Sequence, residues 1–241
     1  MILDQKLVRK ALNEAIDLSI NRVEGKTDKV RKFDETVDLI INIRDVDIKN
    51  PNNRIDQELL LPHPITGNKP KNSVVFIVKD DMELKLRQLG YNIINPKQLD
   101  ELQRQSMKDK KSIAKRYAYF VTRADLMRDV AKVLARFLGQ QNKMPKPAPK
   151  GFGVIRPDEN IEAYLTQLDR IIKLDMKKQL LLQLKVAKKS QDVTQIFENI
   201  DSVLSFVEHA LPNGNNNIKS IFIKTTMGKP VKVEEPVRKG R

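Results

Sequence analysis

Five consecutive apolar residues, Val74 to Val78, leave no room for alternation between a wet face and a dry one. A strand made of them must be covered on both sides, which is the condition of a parallel strand sandwiched by helices. The segments that follow repeat that arrangement. Asp81 to Leu89 predicts a helix stopped by Gly90, Tyr91 to Ile94 a strand, and a further helix starts near Pro96. Tyr117 to Val121 is another buried run, and Ala124 to Leu138 another helix, ended by Gly139. Strands alternating with helices imply a small Rossmann-like parallel α/β domain.

The flanking sequence has a different period. Leu3, Leu7, Ala11, Ala15 and Leu18 recur at helical spacing, so a helix is expected from residue 3 to about 20. From Thr36 onward, Val37, Leu39, Ile41 and Ile43 alternate with Asp38, Ile40, Asn42 and Arg44, as in a strand with one buried face. Leu59 to Leu61 can form a short strand before Pro62, His63 and Pro64 break it. Gln140 to Pro157 holds four prolines and no acidic residue, a basic linker or functional loop. Beyond it the pattern predicts a helix over Ile161 to Ile172, a strand over Leu180 to Val186, a helix over Val193 to Ala210 and a strand over Ile218 to Thr225. After Gly228 the sequence is rich in Lys, Arg and Pro and reads as a mobile tail. The fold class is therefore mixed, α/β together with α+β.

Charge narrows the function. With 45 Lys and Arg against 31 Asp and Glu, the formal charge of +14 suits a polyanion such as nucleic acid. No apolar stretch approaches the roughly 20 residues needed to span a membrane, and no signal-peptide core follows Met1. The absence of cysteine removes disulfides, thiolate ligands and thiol catalysis, and two histidines leave few parts for a metal or a catalytic triad. A nucleotide-dependent enzyme using the α/β domain is the rival reading. It lacks its motif: Lys79, Asp80, Asp81 and Met82 stand where a glycine-rich phosphate loop would be. Asp80 and Asp81 are better read as acidic residues at a helix N-terminus than as catalytic acids, and His63, between two prolines, as a turn or hinge residue. No catalytic residue, metal or cofactor is assigned.

Candidate contacts to RNA lie near both ends of the chain. Ser220, Lys224 and Thr226 share one strand face by their even spacing, and Phe222 lies with them. Lys32, Phe33 and Thr36 offer a cation, an aromatic ring and a hydroxyl. For the phenylalanines, the pattern by itself favours core packing over base stacking. Aromatic residues are only 5% of the chain, so recognition of folded RNA by shape and backbone is favoured over stacking on single strands.

Four stretches in order, KFDETVDLIINI from Lys32, NRIDQELLLPHP from Asn53, FLGQQNKMPKP from Phe137 and IKSIFIKTTMG from Ile218, resemble the protein-number-one family of the large ribosomal subunit's side stalk, and its archaeal branch in particular. The resemblance implies an outer RNA-binding domain of split βαβ type, here residues 1–65 and 157–241, with an inserted α/β domain at 66–156. It implies that Lys32, Phe33, Thr36, Ser220, Thr226, Met227 and Gly228 contact RNA, with Met227 turned outward. The implied partners are large-subunit ribosomal RNA, exit-site transfer RNA during its release, and, in some members, the protein's own messenger RNA, whose translation is then repressed. A cytoplasmic, ribosome-associated protein, monomeric off the ribosome, is expected. This chain departs from the family at Gln140, Gln141 and Asn142, which replace a Pro-x-Gly turn, so Asn142 is expected to take the positive φ of the missing glycine. It departs again at Ala187, Lys188 and Lys189, where glycine is usual; Lys188 is there a candidate phosphate partner.

Overall fold

The computed structural model describes residues 5–19, 32–176 and 179–234. In chain order the elements are α1 (Gln5–Asp17), β1 (Thr36–Ile43), β2 (Ile55–Leu60), β3 (Val74–Ile77), α2 (Asp81–Gln88), β4 (Asn92–Ile94), α3 (Pro96–Arg104), α4 (Met107–Arg116), β5 (Tyr119–Arg123), α5 (Met127–Gln140), β6 (Val154–Ile155), α6 (Ile161–Leu168), β7 (Ile171–Met176), β8 (Leu181–Lys188), α7 (Val193–Ala210), β9 (Ile218–Thr225) and β10 (Val231–Lys232). Two compact units result, one from residues up to 66 and from 170 on, the other Gly67–Asp169.

In the outer unit, β10, β9, β1 and β8 form one antiparallel sheet in that order. Strands β8 and β9 are both antiparallel to β1, hence parallel to each other, and α7 carries the chain from one to the other: a split βαβ unit. The alternation read in β1 is realised in full, with Val37, Leu39, Ile41 and Ile43 inward. Ile221 and Ile223 of β9, Leu182, Leu184 and Val186 of β8, and Ile196, Ile200, Val203 and Val207 of α7 complete one core. On α1 the buried stripe is Val8, Ala11, Leu12 and Ala15, whereas Leu18 is exposed, so the stripe lies one residue round from the face the spacing picked out. Residues 1–4 and the basic turn after α1 lie outside the described residues.

Two expectations fail here. The helix that was to run from Ile161 to Ile172 stops at Leu168, and Ile171–Met176 is a strand paired antiparallel with β2. The segment after Gly228, expected to be a mobile tail, returns as β10 with Val231 and Val233 buried. Residues 235–241 are outside the described part.

The inserted unit is a parallel sheet of order β4-β3-β5-β6. Val75, Ile77 and Phe120 pack on one face against Leu99, Leu102, Ala114, Val130 and Leu134 of α3, α4 and α5. From the other face Phe76 meets Tyr91 and Tyr164 edge-on, and the Tyr164 hydroxyl donates to the Phe152 carbonyl at 2.7 Å. Those contacts fix α6 to this unit, which therefore extends to Asp169 rather than ending near residue 156. Helix α5 runs through Gly139, and Asn142 ends it at φ 55, with the Asn142 and Lys143 amides donating to Gly139 and Leu138. This is the Schellman arrangement with Asn in the glycine's place.

Asp80 does not cap α2. Its carboxylate turns to Arg123, 3.4 Å away, and Arg123 also grips Asp125 at 2.7 Å, which Lys79 meets at 2.8 Å. The Arg123 hydrogen bond, then that of Lys79, holds Asp125 well below the usual carboxylate range, outweighing a partial desolvation of this exposed side chain. The chain's own ion pairs thus bridge the carboxyl ends of β3 and β5, the switch point where open α/β sheets take ligands. A depressed acid stabilises the fold above its unfolded pKa, and that contribution is lost as pH falls. Because Asp125 is solvent-exposed and its ion pairs are screened, Asp125→Asn is expected to cost no more than about 1 kcal/mol at neutral pH, and to flatten the unit's loss of stability below about pH 4, measured by urea denaturation.

Candidate nucleic-acid interface

Helices α1 and α7 cover one face of the outer sheet and leave the other open. Its residues are the even positions of β1 and β9, which the register sets side by side: Asp38 against Lys224, Ile40 against Phe222, Asn42 against Ser220. Phe222 is half-buried on this open face and does not enter the core.

At one end of the sheet two threonines lock the strands. The Thr226 hydroxyl lies 2.8 Å from that of Thr36 and accepts from the Thr36 amide at 3.0 Å, while the Thr226 amide donates to the Thr36 carbonyl. Next, the Met227 amide donates to the buried carboxylate of Glu35 at 2.9 Å. With its backbone held, the Met227 side chain stands 58% exposed, and Phe33 stands 52% exposed beside exposed Lys32, contrary to the core packing that its pattern favoured. Gly228 is required by close approach: a Cβ there would lie 2.3 Å from the Thr225 hydroxyl oxygen, with Ser19 of the segment after α1 at 3.6 Å. Any side chain would meet the Thr225 hydroxyl and force it or the turn to shift.

The loop before β1 is strapped from β8. Ser190 donates from its amide and hydroxyl to the Asp34 carboxylate, Lys189 N–H donates to the Glu35 carbonyl, and Lys188 Nζ donates to the Asp34 carbonyl at 3.2 Å. Lys188 also pairs directly with Thr36 across the sheet. The structure thus gathers Lys32, Phe33, Thr36, Lys188, Thr226, Met227 and Gly228 at one sheet end, with Lys224 two residues along β9. Ser220 shares the face but sits six residues from Thr226, roughly 20 Å along the strand. There its hydroxyl accepts from Asn42 at 2.8 Å.

Sequence reasoning passed over Asp38, Glu35 and Lys185. Asp38 was legible as an outward position of an alternating strand. Burial raises its pKa, against the lowering pull of Lys224, the Thr36 hydrogen bond and Lys185. By linkage, the cost of holding that charge is relieved as pH falls through the raised value, opposite in sign to Asp125. Glu35 carried no signal, because a buried acid holding a backbone amide looks like any acid before a strand.

His63 is a turn residue. Its amide donates to Asn199 Oδ1, its carbonyl accepts from Asn199 Nδ2, and its ring meets the Glu198 carboxylate. Among the described residues no group of acidic and histidine side chains is disposed to hold a metal, and no helix is long and apolar enough to cross a membrane.

Comparison with known proteins agrees with this architecture. The family model described as "Ribosomal protein L1p/L10e family" matches residues 25–229. The chain is 35% identical over 228 residues to the large ribosomal subunit protein uL1 of Thermofilum pendens, covering 93% of this chain and 96% of that one. It is 33% identical over 223 residues to the uL1 of Methanosphaera stadtmanae, covering 92% and 100%, and 33% identical over 206 residues to that of Thermococcus kodakarensis, covering 86% and 91%. With the family model matched over most of its length and relatives this similar across nearly their whole chains, the protein belongs to the L1p/L10e family of ribosomal proteins.

Proposed function

We propose that this protein is a non-enzymatic constituent of the large ribosomal subunit that holds ribosomal RNA of the side stalk at the sheet end built by Thr36, Thr226, Met227 and Gly228. The observation that carries the reading is the threonine lock, which spends backbone and hydroxyl groups on fixing the turn so that Met227 and Phe33 face solvent. Rigid, exposed apolar groups flanked by Lys32, Lys188 and Lys224 suit a folded RNA: the cations meet phosphates and the apolar groups meet an unstacked base or a sugar face. Ser220 and Asn42 extend the surface along the strand with hydroxyl and amide groups fit for 2′-hydroxyls. On the ribosome such a protein stands where exit-site transfer RNA is released. A similarly folded segment of its own messenger RNA would fit the same surface and be repressed.

Met227→Ala and Phe33→Ala should each weaken binding to a stalk RNA fragment by about 1–3 kcal/mol while thermal melts stay unchanged, since both side chains are exposed. Wild-type affinity in both variants would remove the sheet end from the contact surface.

A further inference from the structure

The inserted unit carries a second charged surface that the sheet-end site does not use. Helices α4 and α5 lie on the same core through Ala114, Val130 and Leu134, so their opposite faces both look outward. On α4 that face shows Lys108, Lys111 and Lys115, and on α5 it shows Arg128, Lys132 and Arg136, all exposed. Among the described residues, only Lys132 of these six has an ionic partner, an exposed bond to Asp129 at 3.3 Å. The one acid of each helix lies in its first turn, where the helix dipole favours it, and Asp109 is engaged with Ser106 there. Like charges at i and i+4, as in Lys111 with Lys115 and Arg128 with Lys132 and Arg136, destabilise an isolated helix. A merely solvated basic surface has no reason to concentrate them. On the other helices the charges are mixed or acidic: α2 pairs Arg87 with Glu83, α3 sets Asp100 and Glu101 among Lys97 and Arg104, and α7 has no Lys or Arg.

We infer that the outward faces of α4 and α5 form a second contact surface for the sugar–phosphate backbone of duplex RNA, read without regard to sequence. Each row of cations is about 8–12 Å long, at 1.5 Å per residue, and the rows stand roughly 8–10 Å apart, the usual spacing of packed helices. No aromatic side chain stands in either row, so bases have nothing to stack on and phosphates are the target. The inference concerns a unit that lacks the threonine lock, so the two surfaces can fail independently.

The test uses the full chain with Lys108→Gln, Lys111→Gln, Lys115→Gln, Arg128→Gln and Arg136→Gln combined, and two RNAs: a minimal stalk fragment, and the same fragment extended by flanking duplex. Fluorescence anisotropy across a salt series should show unchanged affinity for the minimal fragment. For the extended RNA it should show at least about tenfold weaker binding at low salt, with a log–log slope shallower by about 2–3. Equal affinity of variant and wild type for the extended RNA, or an equal loss on both RNAs, would overturn the inference. So would displacement of the extended RNA's duplex by polyglutamate more readily than by free duplex RNA, which would assign the surface to an acidic protein. Met227→Ala serves as the control: if it leaves the minimal fragment bound while the five-residue variant weakens the extended RNA, the sheet-end reading fails and this one stands.

Discussion

Raising salt from about 50 to 200 mM should weaken binding of a minimal stalk RNA roughly a hundredfold. Lys32, Lys188 and Lys224 flank the threonine lock, and each phosphate they neutralise releases condensed counterions, contributing close to 0.9 to the negative log–log slope. Three to four such contacts give a slope of about −3 to −4 for the wild-type chain. Met227→Ala should shift the line down without changing its slope, because the thioether displaces no counterion. Lys224→Gln should make the slope shallower by about one. A salt-independent affinity would mean that apolar and hydroxyl contacts dominate, and the phosphate account of this surface would be wrong.

Asn199→Ala should destabilise the outer unit by about 3 kcal/mol or more, seen as a lower midpoint in urea denaturation with little change in slope. Asn199 is fully buried and sits where three elements meet: it accepts from His63 N–H at 2.9 Å and donates to the carbonyls of His63 and Val186 at 3.2 and 2.8 Å. Alanine leaves an amide and two carbonyls without partners, and an unpaired buried polar group costs about 1–3 kcal/mol. Aspartate is the informative second variant. It keeps the acceptor for His63 N–H but places a carboxylate against two carbonyls, so it should be worse than alanine. An unchanged midpoint in both would show that water takes over these bonds.

The parts of the fold legible in the sequence were those with one period and clean ends. In β1 and β9 the alternation is unbroken, so inward and outward residues could be read directly, including the shared face of Ser220, Phe222, Lys224 and Thr226. Val193–Ala210 carries a helical stripe with Asp192 as its N-cap, and its ends were read correctly. Strand β7 was missed because Ile171 and Ile172 fit the apolar stripe of the helix before them, although Ile172, Leu174 and Met176 alternate with Lys173 and Asp175. Leu168 belongs to the helix, and its break lies at Asp169 and Arg170, which carry neither proline nor glycine. The tail was misjudged from its composition: it has few apolar residues, yet Val231 and Val233 suffice when an edge strand is available to pair with. For the site, residue types and face were legible, but the exposure of Phe33 was not. It depends on Asp34 and Glu35 being anchored by Lys188, Ser190 and the Met227 amide, partners far along the chain.

The Thr36–Thr226 lock joins positions 190 residues apart. Synthesis runs from the N-terminus, so a nascent chain displays Lys32, Phe33 and Thr36 long before their partners exist, and β1 lacks both neighbours until β8 and β9 have been made. The proposed contact surface is thus one of the last features to be completed, and on that proposal a truncated or stalled product would not compete with finished molecules for their RNA.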